Sequence, residues 1–490
     1  MIHEDSLKEK WITEIAKQRK SDPILVEKVV RALYLLEHLQ NSGLEFIFKG
    51  GTALMLLFKE PKRFSIDIDI IVSKKPDNMK ETLDVVLNGS DFLEYKINER
   101  QSKSNIEKEH YKFYYKPVTN ARAEKEYILL DVLYEKSHYG KHTNHIEIKS
   151  PFIKSEGKNV KVTVPIPEAI LGDKLTAFAP NTTGVPYGRG KEVEIIKQLF
   201  DVGHLFDMVE DMAIVSEVFT QFAKTELAYR ELTELNEEDV LNDIFQTALL
   251  MGARGKSGIG DYNEIQKGVQ NIKNYIFSEN FHIERAMVPA AKAAYISVVL
   301  KTGSNKIFNF NNPMEVLDWV IEQPFETRLN KLKKSNPEAF FYWCKISNTF
   351  ISQKVTPINN VLNYTHDKVK KCDSKNSSLE TITFSSTDIN AINNAIYHSR
   401  GREGNFSSDD PLPLITNKLN EIKGDVKLNK FSPIELSLIL KIINENIDYT
   451  SNYKYPYLTE EQATSIKQGN LEPLFAIRNK IMNENKKVKL

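Results

Sequence analysis

Cysteine is scarce in this 490-residue sequence, which contains Cys344 and Cys372 and no CxxC pair. A disulfide framework and a cysteine-rich zinc site are therefore excluded. An excess of charge of one sign is absent as well, because 66 lysines and arginines balance 66 aspartates and glutamates. This balance argues against a generally basic nucleic-acid coat, although it is compatible with a local basic groove.

Long hydrophobic runs are missing too. The N-terminus, MIHEDSLKEKW, has no apolar segment of the kind found in a signal peptide. No apolar run approaches the ~18–20 residues of a membrane helix. We therefore expect a soluble, cytoplasmic protein that makes no membrane contact, with two or three domains at ~100–200 residues each.

The most informative stretch runs from Lys49 to Val72 and reads KGGTALMLLFKEPKRFSIDIDIIV. A short apolar strand leads into a Gly-Gly-Thr turn and an apolar helix, and a second strand then carries Asp67 and Asp69. Side chains two residues apart in a strand face the same side. Two adjacent carboxylates repel each other and are costly to desolvate, so a cation is the best explanation for the pair. Mg²⁺ prefers such oxygen ligands and leaves room for substrate phosphates.

A third carboxylate, Asp131, interrupts the apolar strand Tyr127 to Tyr134, which reads YILLDVLY. A charge inside such a run is rarely left unpaired. If this strand lies beside the Asp-x-Asp strand, Asp131 completes a cluster of three carboxylates. The alternative is an aspartate at a strand edge or bulge.

Other residues in the sequence are suited to binding phosphate. Gly50 and Gly51 permit a tight strand-to-helix turn, and backbone N–H groups at a helix start attract phosphate. Ser65 alternates in phase with the two aspartates, so it is a candidate for binding phosphate or the metal shell, or else a solvated serine. Lys174 lies off the apolar stripe of the helix that begins at Pro167. It is either a surface lysine or a point charge that holds a triphosphate.

The order GGTAL, RFSIDIDI, LLDVLY, DKLTAF and KQLFDVGHLF resembles the AbiEii/AbiGii nucleotidyltransferase toxins, also called the MenT group, of abortive-infection and type IV toxin–antitoxin systems. The resemblance covers roughly residues 20 to 300. It implies an α+β protein with an N-terminal domain of the DNA polymerase β type, built on a mixed sheet, and a mostly helical C-terminal half. The corresponding division is 1–209 for the nucleotidyltransferase domain with its N-terminal helices, 210–350 for a helical domain, and 351–490 for a helical extension of unknown role.

The resemblance also implies a role for each candidate residue. The metal ligands would be Asp67, Asp69 and Asp131, and the catalytic group would comprise these three with Lys174 and Asp201. The nucleotide would be bound by Lys49, Gly50, Gly51, Thr52, Arg63, Ser65 and Lys174. One departure from the family pattern is Gln198, which stands where the first aspartate of an R-D-x-x-D-L motif is expected.

The activity implied by the resemblance is Mg²⁺-dependent transfer of a nucleoside monophosphate from an NTP to RNA. The acceptor would be the 3′ end of tRNA, and the consequence would be a block of translation. The expected partner is a cognate antitoxin, a DNA-binding repressor encoded beside it. Two alternatives stay open at this stage: transfer of AMP to a protein hydroxyl, and a non-catalytic interaction protein that retains the fold.

Overall fold

The computed structural model describes residues 1–98, 107–120 and 122–352, together with residues 383–384, 426–427 and 474. The chain forms two compact units, Met1–Lys375 and Asn376–Leu490. The helical extension expected over 351–490 lies almost entirely outside the described residues. The boundary expected between 209 and 210 stays a prediction.

The centre of the first unit is a five-stranded mixed sheet with the order β1-β2-β5-β4-β3. The β2–β5 pair is parallel, and the other three neighbouring pairs are antiparallel. A separate hairpin joins β6 and β7, and a further short pair joins β8 and β9. The strands are β1 Ile47–Lys49, β2 Ile68–Val72, β3 Glu94–Ile97, β4 Lys108–Tyr115, β5 Glu126–Tyr134, β6 Thr143–Glu147, β7 Lys161–Pro165, β8 Thr383–Phe384 and β9 Val426–Lys427. The α+β class with a mixed sheet is thus confirmed.

The helices flank the sheet in the first part of the chain, and the described chain after β7 is mostly helical up to Ser352. Within the described residues the α-helices are α1 Glu9–Arg19, α2 Pro23–Asn41, α3 Gly50–Leu57, α4 Met79–Asn88, α5 Pro167–Ala177, α6 Glu192–Phe206, α7 Met212–Tyr229, α8 Glu237–Gly252, α9 Tyr262–Asn271, α10 Ile283–Lys301, α11 Leu332–Ser335 and α12 Pro337–Ser352. Short 3₁₀ helices occur at Glu4–Leu7, Ile272–Asn274, Pro313–Val316 and Thr327–Lys331. The predominantly helical second half is confirmed as far as the chain is described.

One hydrophobic core joins the N-terminal helices to the sheet. The helix α2 begins where Asp22 accepts a hydrogen bond from the backbone N–H of Ile24, with Pro23 in its first turn. Its apolar face, which includes Leu33, packs in the same buried cluster as Ile70 of β2 and Leu130 of β5. The two strands that carry the predicted carboxylates are therefore held from behind by a rigid apolar layer.

A second core fills the helical part, where α10 packs against α6, α8 and α12. The close approach of α5 and α7 depends on Gly172, because a Cβ there would lie 2.8 Å from the backbone nitrogen of Phe219. A small buried cluster that contains Ala169 of α5, Val218 of α7 and Ile71 of β2 places α5 and α7 against the sheet. No helix in the described part of the chain is long and apolar enough to cross a membrane.

The boundaries around the central stretch differ from those expected. Asp67 is not in a strand, because β2 begins at Ile68 and only Asp69 lies within it. The helix α3 begins at Gly50 itself, so both glycines form its first turn. The sequence pattern could not separate a strand from the extended segment leading into it, since both alternate in the same way.

Candidate active site

Four side-chain positions form a row across the sheet. In the strand register Lys49 of β1 pairs with Asp69 of β2, Asp69 with Asp131 of β5, and Asp131 with His110 of β4. Residues paired across neighbouring strands point to the same face. The structure therefore places a basic residue at one end of the row, two carboxylates in the centre and a histidine at the other end.

The two central carboxylates carry negative charge that the protein compensates poorly. Burial, together with the neighbouring charges of Asp131 and Asp67, raises the pKa of Asp69 from 3.8 to about 7. The cations of Lys49 and Lys174 oppose this rise without cancelling it. Such an arrangement favours the binding of a cation, because a cation would relieve the repulsion between the carboxylates.

The glycine turn lies directly against the carboxylates. Gly50 adopts a φ of +81°, and a Cβ at this position would come within 2.1 Å of Oδ2 of Asp69. A Cβ on Gly51 would come within 2.6 Å of the Ser65 hydroxyl and 2.7 Å of a guanidinium nitrogen of Arg63. The start of α3 thus lies between Asp69 on one side and Ser65 and Arg63 on the other, which only glycine permits.

Thr52, expected on the nucleotide side, is fully buried. Its hydroxyl donates a hydrogen bond of 2.6 Å to the backbone carbonyl of Asp67. This contact ties the first turn of α3 to the segment that precedes β2. In the structure Thr52 therefore fixes the position of Asp67 relative to the glycine turn.

Arg63, Lys174 and Asp201 form one buried ion cluster. The guanidinium of Arg63 donates two hydrogen bonds, of 2.8 and 2.7 Å, to the carboxylate of Asp201. The ammonium of Lys174 lies 3.0 Å from Oδ2 of Asp201 and donates a hydrogen bond of 2.8 Å to Oε1 of Gln198. The Asp201 side chain is only 3% exposed. Burial alone would raise the pKa of Asp201, but the two cations hold it below its usual range.

This cluster has two consequences for the expected roles. The contacts that the structure gives Asp201 are with the two cations, so it positions them, and its participation in the chemistry stays a prediction. Gln198, the departure from the family motif, accepts a hydrogen bond from Lys174 without adding a second negative charge. Two cations against one carboxylate leave the cluster with a net positive charge, next to Gly51 and close enough to act on Asp69.

Lys49 contacts a different set of residues from that cluster. Its ammonium lies 3.6 Å from Oδ2 of Asp173 on α5 and 5.4 Å from the ring centre of Phe222 on α7. Asp173 also accepts a hydrogen bond of 2.5 Å from the hydroxyl of Tyr139. Burial would lower the pKa of Lys49, but Asp173 and Asp69 raise it above its usual value. Lys49 therefore carries its charge at the edge of the carboxylate pair.

Two residues at this site were not predicted from the sequence. Asp173, which holds Lys49, directly precedes Lys174 in the chain, and His110 contacts Asp131 from the neighbouring strand. An isolated acidic residue in a helix and a single histidine in an aromatic strand carry no local signal. Only the register of the sheet and the packing of α5 bring them to the site.

The donor set is suited to a hard divalent cation. Carboxylate oxygens are the ligands that Mg²⁺ prefers, and Mg²⁺ is commonly held by one or two carboxylates together with substrate phosphates. Among the described residues no group of three or more His, Cys, Asp and Glu side chains is already arranged to hold a metal ion. What the structure supplies is the registered pair of Asp69 and Asp131, with Asp67 two residues before Asp69.

Carboxylates on neighbouring strands beside a glycine turn at a helix start are suited to binding a divalent cation together with phosphate groups. Residues 34–268 match the family described as nucleotidyl transferase AbiEii toxin, type IV toxin–antitoxin system. This part of the chain, just under half of its length, is similar to that family, and the protein is an enzyme of the nucleotidyltransferase class. The match to this family implies an NTP substrate and an antitoxin partner.

Solved structures resemble the chain more distantly. The protein JHP933 from Helicobacter pylori is 15% identical, with a TM-score of 0.33, and the match covers 56% of this chain and 93% of that one. MenT4, a nucleotidyltransferase toxin from Mycobacterium tuberculosis, is 11% identical, with a TM-score of 0.34, covering 68% of this chain and 97% of that one. No curated protein matches the sequence. The family assignment therefore rests on the match over residues 34–268.

Proposed function

We propose that the protein transfers a nucleoside monophosphate from an NTP to the 3′ end of RNA, with tRNA as the acceptor and a block of translation as the result. The observation that carries this proposal is the registered pair of Asp69 and Asp131 beside the Gly50 turn. It lies within the part of the chain that matches a nucleotidyltransferase toxin family. The acceptor itself is suggested by the resemblance of the sequence motifs to the MenT group.

Asp67, Asp69 and Asp131 would hold Mg²⁺, which when bound would lower the barrier to attack by an acceptor hydroxyl and neutralise charge on the leaving pyrophosphate. On the acceptor side, the protein itself contributes negative charge. The pKa of Asp69 is raised because several carboxylates lie close together. One of these carboxylates can accept the proton of the attacking hydroxyl, and Asp131 is the candidate for this role.

On the nucleotide side, the protein contributes positive charge. The first turn of α3 presents backbone N–H groups, and Gly50 and Gly51 have no side chain to keep a phosphate away. Next to the turn, the two positive charges of Arg63 and Lys174 exceed the single negative charge of Asp201. The positive charge of this cluster favours a triphosphate and the pyrophosphate that leaves, as electrostatic stabilisation of developing charge requires.

The expected antitoxin, a DNA-binding repressor encoded beside the gene, belongs to the same proposal. The corresponding test is genomic and biochemical. A small adjacent reading frame with a DNA-binding pattern should relieve growth arrest when it is expressed together with the toxin.

Incubation of the full-length protein with each labelled NTP, total tRNA and Mg²⁺ tests the activity. Label on RNA supports the proposal, and label on the protein itself or on an added protein would indicate AMP transfer instead. The absence of label with every NTP would favour the remaining alternative, a non-catalytic interaction protein.

We expect Asp69→Ala to abolish transfer and to leave the fold intact, because the carboxylate is needed for chemistry and repels its neighbours in the folded protein. The measurement is RNA labelling at equal concentrations of folded protein, with circular dichroism as the check on folding. A folded Asp69→Ala protein that labels RNA like the wild type would show that the site has been misassigned.

A further inference from the structure

His110 makes the closest side-chain contact that the structure gives to Asp131. Its ring nitrogen Nδ1 lies 2.7 Å from Oδ1 of Asp131. The contact follows from the register, which pairs His110 of β4 with Asp131 of β5. His110 lies outside the five motifs that identify the family, so the sequence match assigns it no role.

We propose that His110 is a positioning residue for Asp131. An ionised carboxylate can only accept hydrogen bonds, so Nδ1 of His110 carries the proton and donates it to Oδ1. With Oδ1 engaged, the orientation of the carboxylate is fixed and its second oxygen, Oδ2, is left for a divalent cation. This inference rests on the proposed function and adds to it a residue that prepares the metal ligand.

The surroundings explain why Asp131 needs such a partner. Its neighbour on β2 is Asp69, another carboxylate, and the two carboxylates repel each other. The nearest cation in the row, Lys49, lies two strands away and is drawn towards Asp173 and Phe222. His110 is thus the group that restrains Asp131 from the side opposite Asp69.

The contact differs from an ordinary surface pair in its enclosure. The side chain of His110 is 18% exposed and that of Asp131 is 27% exposed. Both are anchored on central strands of the sheet, β4 and β5, which pair over eight residues from Lys108↔Leu133 to Tyr115↔Glu126. A rigid backbone on both sides lets one hydrogen bond determine the carboxylate orientation. Partners of metal ligands in comparable positions change metal affinity about 10–100-fold when they are removed.

The geometry of the histidine ring offers a matched pair of substitutions. His110→Asn retains a donor at the position of Nδ1, whereas His110→Gln moves the donor one bond further away. His145→Gln is the control, because His145 is an exposed histidine on β6 that contacts Thr163. Thermal unfolding of each full-length variant verifies that it folds.

The readout is the dissociation constant for Mn²⁺, measured by electron paramagnetic resonance on full-length protein without substrate. We expect His110→Gln to weaken Mn²⁺ binding about 10-fold or more. His110→Asn and His145→Gln should stay close to the wild type. In RNA labelling, His110→Gln should also raise the Mg²⁺ concentration that gives half-maximal transfer.

The inference is overturned if His110→Gln binds Mn²⁺ like the wild type, if His110→Asn loses as much affinity as His110→Gln, or if the wild type binds no Mn²⁺. Failure of the proposed function looks different. There the wild type labels no RNA with any NTP, whatever the Mn²⁺ affinities are.

Discussion

At the scale of single residues, Gly50 shows how one missing Cβ shapes the site. Its φ of +81° is strained for any other residue, and a Cβ would come within 2.1 Å of Oδ2 of Asp69. Gly43 has nearly the same φ, +84°, but nothing lies within 4 Å of the Cβ position. A comparison of Gly43 with Gly50 therefore distinguishes the effect of the left-handed backbone from the effect of the contact with Asp69.

We expect Gly43→Ala to lower the free energy of unfolding by about 1–2 kcal/mol, the typical strain of an L-residue in a left-handed conformation. Gly50→Ala should lower it further and should also abolish RNA labelling, because the methyl group displaces Asp69. Urea unfolding and RNA labelling measure the two effects. Wild-type activity in Gly50→Ala would mean that the position of Asp69 against the turn is not required.

Asp69 also gives the metal-free protein a defined pH dependence. Its pKa is 3.8 in the unfolded chain and about 7 in the folded protein. Between these values the folded protein holds a proton that the unfolded chain has released, so the free energy of unfolding falls as the pH rises and levels off above about pH 7. Asp69→Asn removes this loss, because an amide does not ionise.

The Asp69→Asn protein should therefore melt at a higher temperature than the wild type at about pH 8 in a chelator, and the gain should shrink towards pH 4. Thermal unfolding at several pH values measures it. Asp318→Asn, on an exposed side chain, serves as the control and should show no such trend. An equal gain at low and high pH would contradict the raised pKa of Asp69.

At the scale of elements, the ion cluster joins the segment before β2 to α5 and α6. Arg63 comes from the first, Lys174 from the second and Asp201 from the third. A buried ion pair adds little net stability compared with an apolar contact, but removal of one partner leaves uncompensated buried charge. Because two cations depend on it, Asp201 is the sensitive member.

We expect Asp201→Asn to lower the free energy of unfolding by about 3–5 kcal/mol. Glu60→Gln is the matched control, since the Arg19–Glu60 pair is at the surface with Glu60 63% exposed, and its loss should be under about 1 kcal/mol. Urea unfolding compares the two variants. Equal losses would mean that the buried cluster is not a structural link between the three elements.

The order of elements around the site could be predicted from the sequence, because each carries a local signal. The strand containing Asp131, the turn at Gly50 and the helix beginning at Pro167 all occur in the structure. Relations between distant elements could not be predicted in this way. The contact of His110 with Asp131 depends on a strand register, and the pairing of Arg63 with Asp201 spans 138 residues. Neither leaves a periodic pattern in the sequence.

At the scale of the whole molecule, all the candidate site residues lie between Lys49 and Asp201, within the family match over residues 34–268. The cores that support them extend further. One core gathers residues from Ile2 to Val164, and the other runs from Leu54 to Ile346 on α12. The support for the site therefore reaches beyond the matched segment, as far as α12 in the first compact unit.

A chain that ends at Lys375 retains both cores and the whole candidate site. We expect it to unfold cooperatively and to retain metal-dependent transfer of label from an NTP. A chain that ends at Lys331 is the matched control, since it loses α11 and α12 and with them Phe340 and Trp343, which are fully buried in the helical core. Removal of such side chains costs about 3–5 kcal/mol each, so this shorter chain should fail to fold.

Thermal unfolding and RNA labelling of both chains provide the test. Loss of folding in the longer chain would show that residues 376–490 are needed to complete the first unit, and transfer by the shorter chain would show that the helical core is not needed to position the site.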